Sequence, residues 1–336
     1  MTKLHTHGWA TSVLAGAALI AALLIGIAPA HAEPPYPVRP ITMVVPFSAG
    51  GPTDVLARIL GQHMTRTLGQ QIVVENITGG GGTIGAARVA KAAPDGYTLV
   101  LGNLGTHAAS IGLYKNLSYD PRTSFEPVML VATTPMVLSV RNGFPADTLE
   151  AFTAYAAAHP HKVTFGSAGT GSSSHLTYLL FTHLTHTEIQ HVPYRGLSQA
   201  VNDLLSGQID MMFDQVVSAA PHILAGGVKP IVVTATTRSP VIPKVPSSTE
   251  AGLPALQTSV WTALFSPKGT PSAIVERVNA AVNDAMHDES VAHRLAQLGA
   301  DLPPPDERTP QALGNLVRAE VDKWVPLIQG AGVAGE

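Results

Sequence analysis

The chain has 336 residues, of which 45% are hydrophobic and 13% charged, a composition typical of a folded globular protein. Its 20 Lys and Arg against 23 Asp and Glu give a formal net charge of -3, which excludes an overall positive field for nucleic acid. The absence of cysteine excludes disulfides, thiolate metal sites, a catalytic cysteine and a lipid-modified N-terminal cysteine. At this length two lobes are more natural than one undivided core.

The first residues have the features of a secretory signal peptide. Lys3 opens a polar region, the run from Val13 to Ile27 is apolar and uncharged, and the small residues Ala30 and Ala32 match the cleavage rule. A membrane anchor is the alternative, because the uncharged stretch that contains this run is long enough to span, but the small residues and the prolines that follow favour cleavage. We therefore expect residues 1–32 to be cleaved after Ala32, leaving a periplasmic protein that is not a lipoprotein, with full secretion as the alternative.

From residue 41 onward, short apolar runs alternate with amphipathic runs, as strands and helices do in α/β proteins. The predicted strands are 41–45, 71–76, 97–102, 135–140, 163–165, 189–192, 209–213 and 230–235. The predicted helices include 55–68, 83–92, 149–158, one that ends at 184, 197–205, 274–286 and 309–325. Residues 236–254 are rich in Pro, Ser and Thr without periodicity and are predicted as a surface excursion. The β-α-β-α-β order indicates a parallel sheet with helices on both faces.

Two loops that are rich in glycine and hydroxyl residues each lead from a predicted strand into a helix. They are the segments 48–54 and 166–174. The N-terminus of a helix offers unpaired N–H groups and a partial positive charge, which suit a carboxylate or a phosphate. Ordinary helix capping explains either loop taken singly, but two such loops in two lobes favour a ligand held between them.

Gly80 to Gly85 also matches the dinucleotide pattern G-x-G-x-x-G, so a dinucleotide-dependent oxidoreductase is an alternative. The match follows the second strand rather than the first, and no acid near Gly105 is available for a ribose. Close packing of a helix on its sheet is the preferred interpretation, and no cofactor is expected.

A possible metal cluster lacks a third ligand of fixed geometry, so no metal site is predicted. Its residues are His183, His186, Glu188 and His191.

An exported serine hydrolase is a further alternative. Ser48 or Ser167 would be the nucleophile, and His175, His191 and Asp214 would complete a triad. Both serines lack the first glycine of the G-x-S-x-G nucleophile elbow, which ranks this hypothesis low. We expect no enzymatic activity and no catalytic residues.

Motifs over nearly the whole chain after residue 32 occur in one characteristic order. They are 46–54, 57–58, 74–76, 80–85, 94–99, 119–121, 166–172 with 175–176, 192–196, 203–210 and 267–271. In this order they resemble the extracytoplasmic solute-binding proteins of tripartite tricarboxylate transporters, the TctC or Bug family. Many separated motifs are far more specific than any one of them.

The resemblance implies an α/β fold of two lobes, the type II periplasmic-binding-protein or Venus-flytrap fold, with two interdomain crossings. Lobe 1 would contain residues 37–133 and 258–336, and lobe 2 residues 134–257. The implied function is capture of a small organic acid, such as a di- or tricarboxylate, an aromatic carboxylate or an acidic amino acid, in the cleft. Delivery to the membrane permease of a tripartite tricarboxylate transporter would follow, and ligand sensing for a two-component system is the alternative. A monomer is expected.

In this family the two loops clamp a carboxylate with backbone amides, hydroxyls and ordered waters, and the Asp after the Met-Phe strand faces the cleft. Carried over, the ligand-binding residues are Ser48, Ala49, Gly50, Thr53, Asp54, Ser167, Thr170, Gly171, Ser172 and Asp214. Neither loop contains an arginine, which leaves Arg141 and Arg195 as candidate charge partners. Asp214 would repel a bound carboxylate unless it is protonated, separated by water or paired with an amine, so an amino or hydroxyl group on the ligand is an attractive conjecture.

Overall fold

The computed structural model describes residues 1–2 and 36–330. The predicted signal peptide and its cleavage site therefore lie outside the described residues, apart from the first two. The chain divides into two units, residues 1–38 and 39–336, and the fold reported below is that of the second unit. Within the described part of the chain, no helix is both long enough and apolar enough to cross a bilayer.

Between residues 39 and 330, nine strands form one mixed sheet. The order in space is β2-β1-β3-β9-β4-β7-β5-β6, and β8 also pairs with β4. Their bounds are β1 Ile41–Val45, β2 Ile72–Asn76, β3 Thr98–Asn103, β4 Phe125–Val140, β5 Thr164–Ser167, β6 Gln190–Pro193, β7 Met211–Gln215, β8 Lys229–Val233 and β9 Ser259–Pro267.

Helices cover both faces of this sheet and form most of the connections. The α-helices are α1 Pro52–Leu68, α2 Thr83–Ala90, α3 Ser110–Leu113, α4 Leu149–Ala158, α5 Ser173–Thr185, α6 Leu197–Ser206, α7 Val216–Leu224, α8 Ser272–His287, α9 Glu289–Gln297 and α10 Pro310–Gly330. Short 3-10 turns lie at Gly80–Gly82 and Pro305–Glu307, and a single π-helical stretch precedes α3 at Gly105–Ala109.

The sheet consists of two halves, which are the two lobes of the fold. In the first lobe β1 pairs in parallel with β2 and β3, and in the second lobe β5 pairs in parallel with β6 and β7. The long strand β4 pairs with β9 along its first part and with β7 from Met136 onward, so it passes from the first lobe into the second. Strand β9 brings the chain back, antiparallel between β3 and β4. These two strands are the interdomain crossings.

Strand β1 illustrates why the sheet forms where it does. Its residues Ile41, Met43, Val44 and Val45 are fully buried, as expected for a continuous apolar run covered on both faces in a parallel arrangement. The amphipathic helix α1 packs an apolar stripe against the sheet. Because β1 and α1 are both anchored in the core, the loop between them is held at the carboxyl end of the sheet.

The predicted elements up to residue 233 are present, with small differences at their ends, but the sheet is not parallel throughout. The sequence pattern missed β9, the first ten residues of β4, and the helices α3, α7 and α9. The predicted surface excursion at 236–254 is also anchored, because Ile242 and Val245 are buried against Val216 of α7.

Candidate functional site

The loop between β1 and α1 is fixed by a buried carboxylate. Asp54, 2% exposed, accepts hydrogen bonds from the Gly50 N–H at 2.9 Å, from Arg58 Nε and Nη2 at 2.9 Å each, and from Asn76 Nδ2 at 3.0 Å. Burial alone would raise the pKa of Asp54, but these hydrogen bonds and the Arg58 charge outweigh it and hold the pKa below its usual value. Asp54 is therefore ionised and saturated with donors, and it shapes the loop.

The loop between β5 and α5 uses most of its own backbone amides internally. The N–H groups of Ala168, Gly169 and Gly171 donate to Ser174 Oγ, Ser167 Oγ and His175 Nδ1 at 3.0, 3.1 and 3.2 Å. Burial, and to a lesser extent the neighbouring His191, lowers the pKa of His175 to about 3, so its imidazole stays neutral and can accept this bond. Ser172, the N-cap of α5, accepts the His175 N–H at 3.5 Å, which leaves the N–H groups of Ser173 and Ser174 as the donors that this loop presents.

Ser167 and His191 lie together, as the hydrolase hypothesis required, but they form a support for the second loop. Ser167 Oγ is 2.6 Å from His191 Nε2, and the His191 ring stacks on His175 with centroids 4.4 Å apart. Ser167 is fully buried and accepts the Gly169 N–H, so a substrate carbonyl cannot reach its hydroxyl. Asp214, the proposed third member, is hydrogen-bonded to Ser218 instead.

A small cavity of about 30 Å³ lies where the two loops meet the end of β7. Fourteen residues line it: Phe47, Ser48, Gly51, Pro52, Thr53, Asn103, Met136, Ala168, Ser172, Ser173, Ser174, Leu197, Asp214 and Gln215. Four of the ten predicted binding residues are among them, namely Ser48, Thr53, Ser172 and Asp214. A cavity of this size holds about one or two water molecules, so a larger ligand is admitted only when the lobes move apart.

The polar atoms of this cavity distinguish it from larger concavities on the molecule. Three buried side-chain atoms among its lining residues have no hydrogen-bond partner: Thr53 Oγ1, Ser173 Oγ and Gln215 Oε1. Buried polar atoms are normally satisfied, because leaving one unpaired costs about 1 to 3 kcal/mol. A groove of about 430 Å³ beside the crossing strands is more spacious, and three of the groups that line it, Trp261, Trp324 and Glu320, are bonded to one another.

Asp214 is the only ionisable residue among those that line the cavity, and none of the lining residues is Lys, Arg or His. Its side chain is 2% exposed, and burial raises its pKa to about 7, although Ser218 Oγ at 2.5 Å and the Gln215 N–H both favour the ionised form. Arg141, a candidate charge partner from the sequence, pairs with Asp210 at 2.7 Å instead. Asp214 therefore changes charge near neutral pH.

Direct contacts between the lobes close the cavity. Ser48 Oγ lies 3.0 Å from Ser198 Oγ, which donates to the Ala49 carbonyl at 2.7 Å. Tyr114 Oη donates to the Thr170 carbonyl at 2.5 Å. These contacts account for three predicted residues, Ser48, Ala49 and Thr170, as parts of the lobe interface.

The glycine run at 80–82 takes part in the same interface. A Cβ atom on Gly81 would lie 2.2 Å from the Thr170 carbonyl oxygen, and Gly81 has a φ of +59°. The glycine is therefore required by the close approach of the two lobes, in addition to the packing of a helix on its sheet that the sequence suggested for this segment. Gly85 does serve that second purpose, since a Cβ there would lie 2.9 Å from Pro46.

The polar lining residues that sequence reasoning missed are Asn103, Ser173, Ser174 and Gln215. Asn103 accepts the Gly105 N–H at 3.0 Å and so shapes the π-helical stretch after β3. Ser173 and Ser174 belong to the hydroxyl-rich loop noted in the sequence, and their place at the first turn of a helix was the available signal. Gln215 directly follows Asp214 and gave no separate signal.

Comparison with known proteins shows the same architecture elsewhere. A family model described as "Tripartite tricarboxylate transporter family receptor", TctC, matches residues 56–333. MatC (Rpa3494) from Rhodopseudomonas palustris, solved with bound malate, is 44% identical, with a TM-score of 0.85 over 87% of this chain and 100% of that one. The periplasmic binding protein BugD is 39% identical, with a TM-score of 0.86 over 90% and 100%. R. palustris Rpa4515, solved with adipate, is 34% identical, with a TM-score of 0.85 over 90% and 100%.

Proposed function

The chain belongs to the tripartite tricarboxylate transporter receptor family, the TctC or Bug family of periplasmic solute-binding proteins, and we propose that it captures a small carboxylate between its lobes for delivery to a membrane permease. Proteins of this family bind their solutes without transforming them, so the chain is not an enzyme. We propose further that residues 1–32 direct export and are cleaved after Ala32, and that the remaining chain acts as a monomer. The proposed lobes are 37–133 with 258–336, and 134–257.

The observation that supports a carboxylate most directly is the convergence of unpaired hydrogen-bonding groups on one cavity. Thr53 Oγ1 and Ser173 Oγ belong to the first turns of α1 and α5, whose N-terminal N–H groups and dipoles favour an anion. Two relatives of known structure hold malate and adipate, both carboxylates. In the absence of a lysine or arginine among the lining residues, hydroxyls and helix N-termini would carry the recognition.

The ten predicted binding residues divide into two proposed roles. Those that line the cavity and would contact the ligand are Ser48, Thr53, Ser172 and Asp214. Those that would shape the loops or join the lobes are Ala49, Gly50, Asp54, Ser167, Thr170 and Gly171. The second group would affect affinity through the geometry of the loops.

A thermal-shift screen of residues 33–336 tests the proposed function. The protein is first unfolded, dialysed and refolded to remove any ligand that was retained from expression. A carboxylate present at 100 times its Kd stabilises the folded state by about 2.7 kcal/mol, so we expect a rise in Tm of several degrees with at least one di-, tri- or aromatic carboxylate or amino acid. No shift with any acid, for a refolded protein with a cooperative transition, would contradict carboxylate capture. A shift with a nicotinamide cofactor alone would do the same.

Gly81→Ala is expected to weaken ligand binding at least tenfold by holding the lobes apart. The added methyl group would overlap the Thr170 carbonyl, and the positive φ adds about 1 kcal/mol of backbone strain. Gly69→Ala is the matched control, because Gly69 has a φ of +70° with no atom within 4 Å of the added Cβ. Both variants should lose similar stability, and only Gly81→Ala should lose affinity.

Lobe closure in these variants is measured by intrinsic tryptophan fluorescence and by the radius of gyration from X-ray scattering. Trp261 and Trp324 are the two tryptophans that remain after residue 32, and both donate to Glu320 beside the crossing strands, at 3.3 and 3.1 Å. Their emission therefore reports movement of the hinge. Equal affinity and equal compaction in Gly81→Ala and Gly69→Ala would refute the closure argument.

A further inference from the structure

Two chemically different sets of groups line the cavity. The hydroxyl pair, Thr53 Oγ1 and Ser173 Oγ, lies at the first turns of two helices and can donate to a carboxylate. The acceptor pair, the Asp214 carboxyl and Gln215 Oε1, lies at the end of β7. All four side chains are nine-tenths or more buried. A ligand bound between the two loops would meet both sets.

The Gln215 side chain is free for this purpose. Gln215 occupies the N-cap position of α7, where a polar side chain often binds the helix, but it makes no capping hydrogen bond. The residue is only 3% exposed, and its Oε1 is buried without a hydrogen-bond partner. An acceptor left in this state is stabilised by a ligand group that donates a hydrogen bond.

Charge favours the same kind of group. A carboxylate bound at the hydroxyl pair brings a negative charge into a cavity that already contains Asp214, and none of the lining residues carries a positive charge. A second carboxylate placed against the acceptor pair would face Asp214 without a cation between them, which is unfavourable unless Asp214 is protonated. A hydroxyl group in that place donates to an acceptor, and an ammonium group also neutralises the carboxylate of Asp214.

We propose that the site selects carboxylic acids that carry a hydroxyl or an amino group on a nearby carbon, and that Asp214 and Gln215 accept the hydrogen bond from that group. This inference rests on the proposed function and narrows it. Because the hydroxyl pair and the acceptor pair line the same cavity, the two recognised groups of the ligand lie a few bonds apart. The unsubstituted acid of the same length accepts hydrogen bonds from the hydroxyl pair but offers no donor to the acceptor pair.

Matched ligand series test the selectivity by isothermal titration calorimetry at pH 8 with residues 33–336. The series are propionate, L-lactate and L-alanine; succinate, L-malate and L-aspartate; and glutarate, L-2-hydroxyglutarate and L-glutamate. In the series that binds, we expect the hydroxy acid or the amino acid to bind at least tenfold more tightly than the unsubstituted acid. Whether the site prefers a hydroxyl or an amino group follows from which acid of the series, the hydroxy acid or the amino acid, has the lower Kd.

Two near-isosteric variants assign the effect to residues. Gln215→Met removes the acceptor and should reduce the ratio of substituted to unsubstituted affinity about tenfold. Thr53→Val removes one member of the hydroxyl pair and should weaken all acids of the series alike, so the ratio is retained. Asp214→Asn replaces the carboxylate of the acceptor pair by a neutral amide and should also reduce the ratio of substituted to unsubstituted affinity. Thermal melts of each variant establish that it is folded.

The outcomes separate this inference from the proposed function. Equal binding of the three acids in a series would overturn the selectivity and leave carboxylate capture intact. The selectivity would also be overturned if the tightest ligand of the wider acid screen had no hydroxyl or amino group, or if Gln215→Met and Asp214→Asn retained the wild-type ratio. Failure of every acid in both experiments would overturn the proposed function and the selectivity together.

Discussion

Asp54→Ala is expected to lower the free energy of unfolding by about 3 kcal/mol, because it removes a buried, ionised acceptor from four hydrogen bonds. The Gly50 N–H would lose its acceptor and Asn76 Nδ2 would keep only its bond to the Phe47 carbonyl, whereas Arg58 can return to water. The β1–α1 loop would lose its shape, so ligand affinity should fall as well. Urea unfolding and calorimetric titration measure the two effects.

Glu75→Ala is the matched control for this prediction. Glu75 forms an ion pair with Arg88 at 2.6 Å, but both side chains are largely exposed, and such pairs contribute at most about 1 kcal/mol. A loss of stability in Asp54→Ala no larger than in Glu75→Ala would show that the Asp54 network does not hold the loop. Because the pKa of Asp54 is lowered on folding, its contribution should be present above pH 4 and lost as the pH falls further.

Asp214→Asn is expected to make the unliganded protein more stable at pH 8, with a much smaller effect at pH 5. The pKa of Asp214 is raised to about 7 by burial, so the folded state holds this proton more tightly than the unfolded state does. The stability that Asp214 contributes is therefore largest in acid and is lost as the pH rises from about 4 to 7. The gap between variant and wild type should widen by about 3 kcal/mol between pH 5 and pH 8.

Urea unfolding of wild type and Asp214→Asn at the two pH values measures this gap, with no acid ligand present. Asp306→Asn serves as the control, because Asp306 is exposed in a short turn and its carboxyl is in water in both the folded and unfolded states. A gap that stays constant from pH 5 to pH 8 would show that Asp214 is not desolvated. Asp54 and Asp214 thus have opposite effects on stability as the pH changes, although both are buried carboxyls in the neighbourhood of one site.

Local pattern predicted most of the strands and helices because apolar runs and glycine turns are local signals. Strand β9 escaped this approach, since its place between β3 and β4 depends on pairing with residues more than a hundred positions away. The resemblance to a known family predicted that the chain returns to the first lobe after residue 257, which the local pattern did not show. Residues 236–254 looked like surface because their anchoring residues, Ile242 and Val245, are isolated in a polar segment.

For the site, the sequence located both loops and Asp214, since helix N-termini after glycine-rich strand ends have a recognisable pattern. It did not separate residues that line the cavity from those that support it. Asp54 and Ser167 looked like binding groups, and only their hydrogen bonds to Gly50 and Gly169 place them behind the loops. The sequence does not single out Gln215, because a polar side chain at the start of a helix often caps it. Only the structure shows that this capping hydrogen bond is absent.

The position of β9 also has a consequence for the order in which the chain acquires its structure. Strands β1 to β3 can pair among themselves early, but the open side of β3 is completed only when residues 259–267 arrive, after the whole second lobe has been made. The second lobe is continuous in sequence along β5, β6 and β7, so it can fold as a unit before the sheet of the first lobe is complete. Contacts of such long sequence separation slow folding, and a slow-folding chain stays unfolded long enough to be threaded through a translocation channel.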